Sequence, residues 1–188
     1  MRVIAGIARG RRLQAPTGQA VRPTSDKVKG AIFSILTSRV PLVDTVVLDL
    51  FSGSGALGIE ALSRGVAHVT FVEQAAPAVQ VLQHNLRTCR MTEHSHVLPL
   101  PIARALPRLA RARQQFDGVL LDPPYAQHCV DRTLQALVTH ELVAPEGWVM
   151  VEHEADEPVA AQYGPLQLTH TRAYGKTHVA LLRASPAA

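Results

Sequence analysis

From residue 45 onward, short apolar runs alternate with longer segments whose apolar residues recur every three or four positions. The runs at 45–50, 68–73, 97–100, 117–122 and 148–152 read as strands, and the segments at 56–63, 77–86, 102–112 and 130–139 read as helices between them. Strands that alternate with helices predict a parallel sheet covered on both faces. Two further β-prone segments, 166–172 and 178–182, are joined by Tyr174-Gly175-Lys176 and read as a closing hairpin. Before residue 45 the pattern differs. Residues 3–8 and 10–13 suggest a β-hairpin. Val28, Ala31, Ile32, Ile35 and Leu36 then recur at helical spacing, between a cap at Thr24 or Ser25 and a stop at Pro41.

The chain has 188 residues, 47% of them hydrophobic, which suits one domain with a small appendage. Its net charge of +4 is unevenly spread. Residues 1–43 carry eight basic side chains (Arg2, Arg9, Arg11, Arg12, Arg22, Lys27, Lys29, Arg39) against one acid, Asp26; the remainder carries eleven against fourteen acids. A basic head on a mildly acidic body suggests a polyanion-docking extension at 1–43, ahead of a catalytic domain at 44–184. A solvated basic surface is the blander account of the charge run alone. No run approaches the roughly 20 apolar residues of a membrane span. The start, MRVIAGIARGRRL, lacks the apolar stretch of a secretory signal. The two cysteines, Cys89 and Cys129, have no CxxC spacing, so a reducing cytoplasm is the expected compartment.

The segment from Asp49 to Gly58 contains Gly53-Ser-Gly55-Ala-Leu-Gly58 between a strand and a helix, which by itself matches a dinucleotide fingerprint. Glu73 ends the second strand, where an acid can hold ribose hydroxyls. Asp49 helps to separate the candidate ligands. A carboxylate beside the loop repels a pyrophosphate but favours the ammonium and sulfonium of S-adenosylmethionine, by ~1–3 kcal/mol when partly desolvated. A tight turn with a capping Asp is the structural alternative.

Asp122-Pro123-Pro124-Tyr125 follows the fourth strand. Two prolines make a rigid exit from the sheet, because each fixes φ and restricts the residue before it. The Asp122 carboxylate and the Pro123 carbonyl can then face one cleft. An exocyclic amine is a poor nucleophile because its lone pair is delocalised into the base. One acceptor on each N–H favours a pyramidal nitrogen, so positioning and electrostatics carry most of the catalysis. Tyr125 offers a ring for base stacking.

These motifs, in this order, resemble the bacterial 16S ribosomal RNA guanine-N2 methyltransferase family, the RsmD-like enzymes. The resemblance runs through Arg-Gly-Arg-Arg-Leu at 9–13, Arg-Pro-Thr-Ser-Asp-Lys-Val at 22–28, the long cofactor stretch at 49–65, the tetrad at 122–125 and Tyr-Gly-Lys-Thr at 174–177. It implies a class I S-adenosylmethionine-dependent methyltransferase fold, a seven-stranded, mostly parallel sheet with an antiparallel last strand. It also implies methylation of N2 of a guanine in small-subunit (16S) rRNA, on an assembled or partly assembled particle; a monomer that uses neither metal nor membrane is expected. The implied site comprises Asp122, Pro123 and Tyr125 for catalysis; Asp49, Phe51, Gly53, Gly55, Glu73 and Thr24 for the cofactor; and Arg9, Arg11, Arg12, Arg22, Lys27 and Lys176 for RNA.

The chain departs from the family pattern twice. Lys29-Gly30 stands where the family often has Arg and Glu, which leaves no basis for assuming an ion pair there; Gly30 should also weaken its helix by roughly 1 kcal/mol relative to Ala. Leu100-Pro101-Ile102-Ala103 offers no acid to read the adenine amine, so backbone groups or shape must do so. The rival readings are a DNA or protein-glutamine amino-methyltransferase, a non-catalytic RNA-binding module and, more distantly, a Rossmann oxidoreductase. His94-Ser95-His96 lacks an evident third metal ligand. Cys129 is expected to face a helix core rather than to act as a nucleophile.

Overall fold

A computed structural model of the chain describes residues 1–16, 26–124 and 129–186. Arg22, Thr24 and Tyr125, each expected at the site, lie outside the described residues. The elements run α1 (Asp26–Arg39), β1 (Val46–Leu50), α2 (Ala56–Ser63), β2 (His68–Val72), α3 (Ala76–Cys89), β3 (Ser95–Leu98), α4 (Ile102–Arg111) and β4 (Phe116–Leu121). They continue with α5 (Cys129–Thr139), β5 (Val143–Glu154), β6 (Gln162–Tyr163), β7 (Leu166–Tyr174) and β8 (Thr177–Ala184).

The strands form one sheet in the order β3-β2-β1-β4-β5-β8-β7-β6. β1 to β5 are parallel, and β8 pairs antiparallel with β5. The count is eight strands rather than the seven expected, because residues 162–163 add a short strand that pairs antiparallel with the start of β7. The chain order reverses between β1 and β4. Such a switch point opens a crevice at the carboxyl ends of the strands.

Two cores cover the sheet. On one face α1, α2 and α3 bury Ile32, Phe33, Ile59 and Leu82 against Phe71, Trp148 and Met150. On the other, α4 and α5 bury Leu106, Leu109, Val130 and Leu134 against Leu48, Val119 and Val149. Gly118 lies under the Trp148 ring, where a Cβ would stand 2.1 Å from a ring carbon.

The expected N-terminal hairpin forms only at its outer residues: Arg2 bridges Arg12 antiparallel, Val3 N–H donates to the Arg11 carbonyl at 3.0 Å, Leu13 N–H to the Met1 carbonyl at 3.1 Å and Gly10 N–H to the Val3 carbonyl at 2.9 Å. Further in, the backbone donors are taken by α2 instead. Ile4 and Ala5 N–H donate to the Glu60 carboxylate at 2.7 and 3.0 Å, and Ile7 N–H donates to the Ser63 carbonyl at 2.8 Å. Val3, Ala8 and Leu13 are buried in the same core as α1 and α2. Glu60 also pairs with Lys29 at 3.5 Å, both fully buried, and with Arg64 at 2.8 Å. Lys29 Nζ donates to the Arg2 carbonyl. Lys29 of α1 therefore does form an ion pair. Its acid comes from α2 rather than from its own helix, a partner no local pattern shows. Burial lowers the Lys29 pKa, and Glu60 and Asp26 oppose that effect.

Candidate active site

The loop after β1 is built for close approach. Phe51 adopts a left-handed backbone, φ 58°, strained for a residue with a Cβ and typical of functional turns. Ser52 then ties the loop to β2. Its N–H donates to the Val72 carbonyl at 3.1 Å, and its hydroxyl donates to the Asp49 carbonyl at 2.7 Å while accepting from Val72 N–H at 3.0 Å. Gly53 N–H donates to Glu73 at 2.9 Å, and Ala75 N–H donates to the other oxygen of Glu73 at 2.8 Å. Glu73 is thus fixed at the end of β2 by the loop it faces. Gly55, φ 78°, starts α2 at a point where a Cβ would lie 2.3 Å from the Leu82 side chain.

Asp49 is 1% exposed. One oxygen accepts the Gly58 N–H at 3.0 Å, so the carboxyl does cap the first turn of α2. Gly58 allows that approach, since a Cβ there would stand 2.8 Å from the same oxygen and 2.3 Å from the Phe71 ring. Burial pushes the Asp49 carboxyl up to about 8, with the nearby acids Asp122 and Glu73 adding to the effect and the Gly58 N–H opposing it. Asp122 leaves β4 half-buried, with Pro123 buried behind it. The in-register pairs Asp49–Leu120 and Leu50–Leu121 carry the carboxyl ends of β1 and β4 to the same level.

These residues line one cavity of about 470 Å³, which includes Asp49, Phe51, Gly53, Glu73, Asp122 and Pro123. That volume falls within the roughly 300–1,000 Å³ of small-molecule sites. Gly55 stands behind the lining and packs the loop against α3. The far wall includes Leu100, Pro101, Ile102 and Ala103, with no acid, and Arg132 from α5. The lining suits S-adenosylmethionine: three carboxyl groups gather beside the glycine loop, where a cationic ligand gains and a pyrophosphate loses, and an apolar slot lies beyond.

The structure adds wall residues that local motifs did not reveal. Met1 and Pro16 reach the cavity from the N-terminal segment. Asn85, fully buried on α3, accepts from Gln14 N–H and donates to the carbonyls of Gln14 and Ser54, so one amide holds both that segment and the glycine loop. Cys129, expected in a helix core, is half-buried and lines the cavity instead. His94 and His96 lie around the start of β3, at the opposite edge of the sheet. Arg9, Arg11, Arg12, Lys27 and Lys176 are exposed, and Arg11 is anchored to the Thr88 carbonyl at 2.6 Å.

Sheet order, glycine loop and carboxyl-end crevice together define the class I methyltransferase fold. A family model described as "Conserved hypothetical protein 95" matches residues 1–183. The chain is 39% identical to a putative rRNA methyltransferase, YlbH, of Bacillus subtilis, over 97% of this chain and 98% of that one. It is 35% identical to ribosomal RNA small subunit methyltransferase D of Escherichia coli strain K12, over 83% of this chain and 76% of that one. The solved structure of the putative methyltransferase yhhF from Escherichia coli superposes with a TM-score of 0.85 at 31% identity, covering 100% and 99% of the two chains. The chain belongs to this family, the RsmD-like methyltransferases.

Proposed function

We propose that the protein transfers a methyl group from S-adenosylmethionine to the exocyclic N2 of a guanine in 16S rRNA, acting in the cytoplasm as a monomer on an assembled or partly assembled small subunit. The observation that carries this reading is the placement of Asp122 and Pro123 in the same cavity as Asp49 and Glu73. It sets an amine-positioning pair beside a pocket suited to a cation. Bound S-adenosylmethionine supplies an electrophilic methyl group on a sulfonium.

The chain's own residues do the rest. Asp49 and the Gly53 backbone would hold the amino-acid portion of the cofactor, Glu73 its ribose hydroxyls, and Phe51 with the apolar wall at 100–103 its adenine. Asp122 accepts one N–H of the target amine and the Pro123 carbonyl the other, which aims the nitrogen lone pair at the methyl group. Tyr125 stacks on a guanine turned out of its helix. The family resemblance adds Thr24 to the cofactor-binding residues. Residues 1–43 act as the docking extension of the catalytic domain at 44–184, with Arg9, Arg11, Arg12, Arg22, Lys27 and Lys176 on phosphates that position the RNA without specifying its sequence.

The test is transfer of labelled methyl from S-adenosylmethionine to small subunits that lack the modification, followed by nucleoside analysis. Labelled N2-methylguanosine at one position is the expected product. Label in DNA or protein but not in RNA would overturn the substrate, and no transfer despite tight cofactor binding would overturn the enzyme.

A further inference from the structure

Positive charge returns at the end of the chain. Residues 44–157 hold fourteen acids against eight Arg and Lys, whereas residues 158–188 hold Arg172, Lys176 and Arg183, with His170 and His178, and no Asp or Glu. The fold concentrates this charge. β6 engages Leu166 and Gln167, and the Leu168 N–H donates to the Ala161 carbonyl; from His170 onward β7 pairs, among the described residues, with β8 alone. Along this outer strand His170 stands opposite Leu181, Arg172 opposite Val179 and Tyr174 opposite Thr177. Leu181 and Val179 belong to the core under α1, so His170, Arg172 and Tyr174 share the α1 face of the sheet, where β7 emerges past the helix.

Arg39, exposed at the end of α1, joins them. Arg183 Nη1 reaches the Arg39 carbonyl at 3.5 Å. The Arg172 guanidinium lies 5.8 Å from the centre of the Tyr174 ring. Desolvation, with Arg39 and Arg172 nearby, lowers the pKa of His170. Among the described residues none of these cations is in an ion pair. β7 runs parallel to β5. The strip from Arg39 through His170 and Arg172 to Lys176 therefore ends at the edge of the sheet where Asp122 leaves β4.

We propose that this strip is a second RNA-contact track, in which Arg39, His170, Arg172 and Lys176 bind substrate phosphates on the side of α1 away from the N-terminal segment. The proposal rests on the RNA substrate argued above and adds where the polyanion lies. Sheet order separates the two tracks. The N-terminal segment sits on α2 and α3 toward β2, and β7 lies past β8 on the other side. The acids nearest in register, Glu152 opposite Val179 and Glu154 opposite Thr177, lie two strands away on β5; like charges held together repel one another, and a polyanion relieves that repulsion while releasing its counterions. Arg39, Arg172 and Lys176 are exposed, which fits a wet phosphate backbone better than an apolar partner.

The experiment measures binding of a small-subunit rRNA fragment against salt concentration for four proteins. These are wild type, the pair Arg39→Glu with Arg172→Glu, the neutral pair Arg39→Gln with Arg172→Gln, and the pair Arg11→Glu with Arg12→Glu. Cofactor binding and thermal unfolding serve as checks on the fold. The β7 pairs should each reduce the slope of log affinity against log salt by about one to two, with at least ~10-fold weaker binding at low salt and unchanged cofactor affinity. An unchanged slope in both β7 pairs, with wild type binding RNA and the Arg11/Arg12 pair losing slope, would overturn the track and leave these charges as guards of an exposed edge strand. Absence of RNA binding by wild type would instead overturn the substrate reading, and the track with it.

Discussion

Replacing Asp49 with Asn should separate cofactor affinity from stability, because this carboxyl is held in an environment that opposes its charge. Its pKa is pushed up to about 8, chiefly by burial. In ligand-free protein at pH 7 it therefore carries about nine-tenths of a proton. A cation binding beside it favours the carboxylate, so binding should release protons at pH 7, up to about 0.9 per site if the carboxyl ionises fully. Calorimetry at pH 7 in buffers of different ionisation enthalpy reads that number directly. The pH is kept below about 7.7–8.0, where the ligand's own α-amino group titrates. Asp49→Asn should release none and should bind about tenfold or more weakly, from the ~1–3 kcal/mol of a charge-assisted contact.

Stability should move the other way. The folded-state pKa lies above the unfolded value of 3.8. Between about pH 4 and 8 the native state holds a proton that the unfolded chain has lost, so this group lowers stability as pH rises through that window, and the effect is flat above it. Asn does not titrate. The variant should then unfold with a free energy higher than wild type by at most about 4 kcal/mol at pH 7, with the difference vanishing near pH 4. Heats that do not depend on buffer, together with parallel stability curves for the two proteins, would refute this account of Asp49.

Other substitutions probe the remaining parts. Asp122→Ala should cut methyl transfer by at least ~10²-fold in single-turnover assays while equilibrium dialysis shows cofactor affinity intact; near-normal turnover would remove Asp122 from the mechanism. Gly58→Ala places a methyl group 2.8 Å from the Asp49 carboxyl and 2.3 Å from the Phe71 ring. It should cost about 1–3 kcal/mol in denaturant unfolding and weaken cofactor binding. Glu60→Ala strands the buried Lys29 ammonium and should cost roughly 3–5 kcal/mol, with faster hydrogen exchange at Ile4 and Ala5 if their amides lose their acceptor. Gly30→Ala meets nothing within 4 Å and should raise the unfolding free energy by about 1 kcal/mol; a destabilised variant would show that Gly30 has another role.

The order of the principal strands and helices, and the core of the candidate site, were legible in the sequence because both depend on contiguous signals. Apolar runs and helical spacing mark α2 at the residues expected, and β1 and β4 within a residue at each end. Parallel strands then align their carboxyl ends without further instruction. The residues that end them, Asp49, Glu73 and Asp122, arrive at one cavity from motifs far apart in the chain. Tertiary structure decided what depends on distant partners. Glu60 draws in Lys29 and the Ile4 and Ala5 amides, so the hairpin pairs only at residues 1–3 and 10–13 while its inner residues fold onto α2. Asn85 binds the Gln14 backbone to the glycine loop, and Met1 and Pro16 become cavity wall. The same holds for charge. The sequence shows that Asp49 is acidic, but only burial between a helix and two neighbouring acids decides that it is largely protonated at neutral pH. Desolvation and Coulomb terms are sums over three-dimensional neighbours, and no stretch of sequence contains those neighbours by itself.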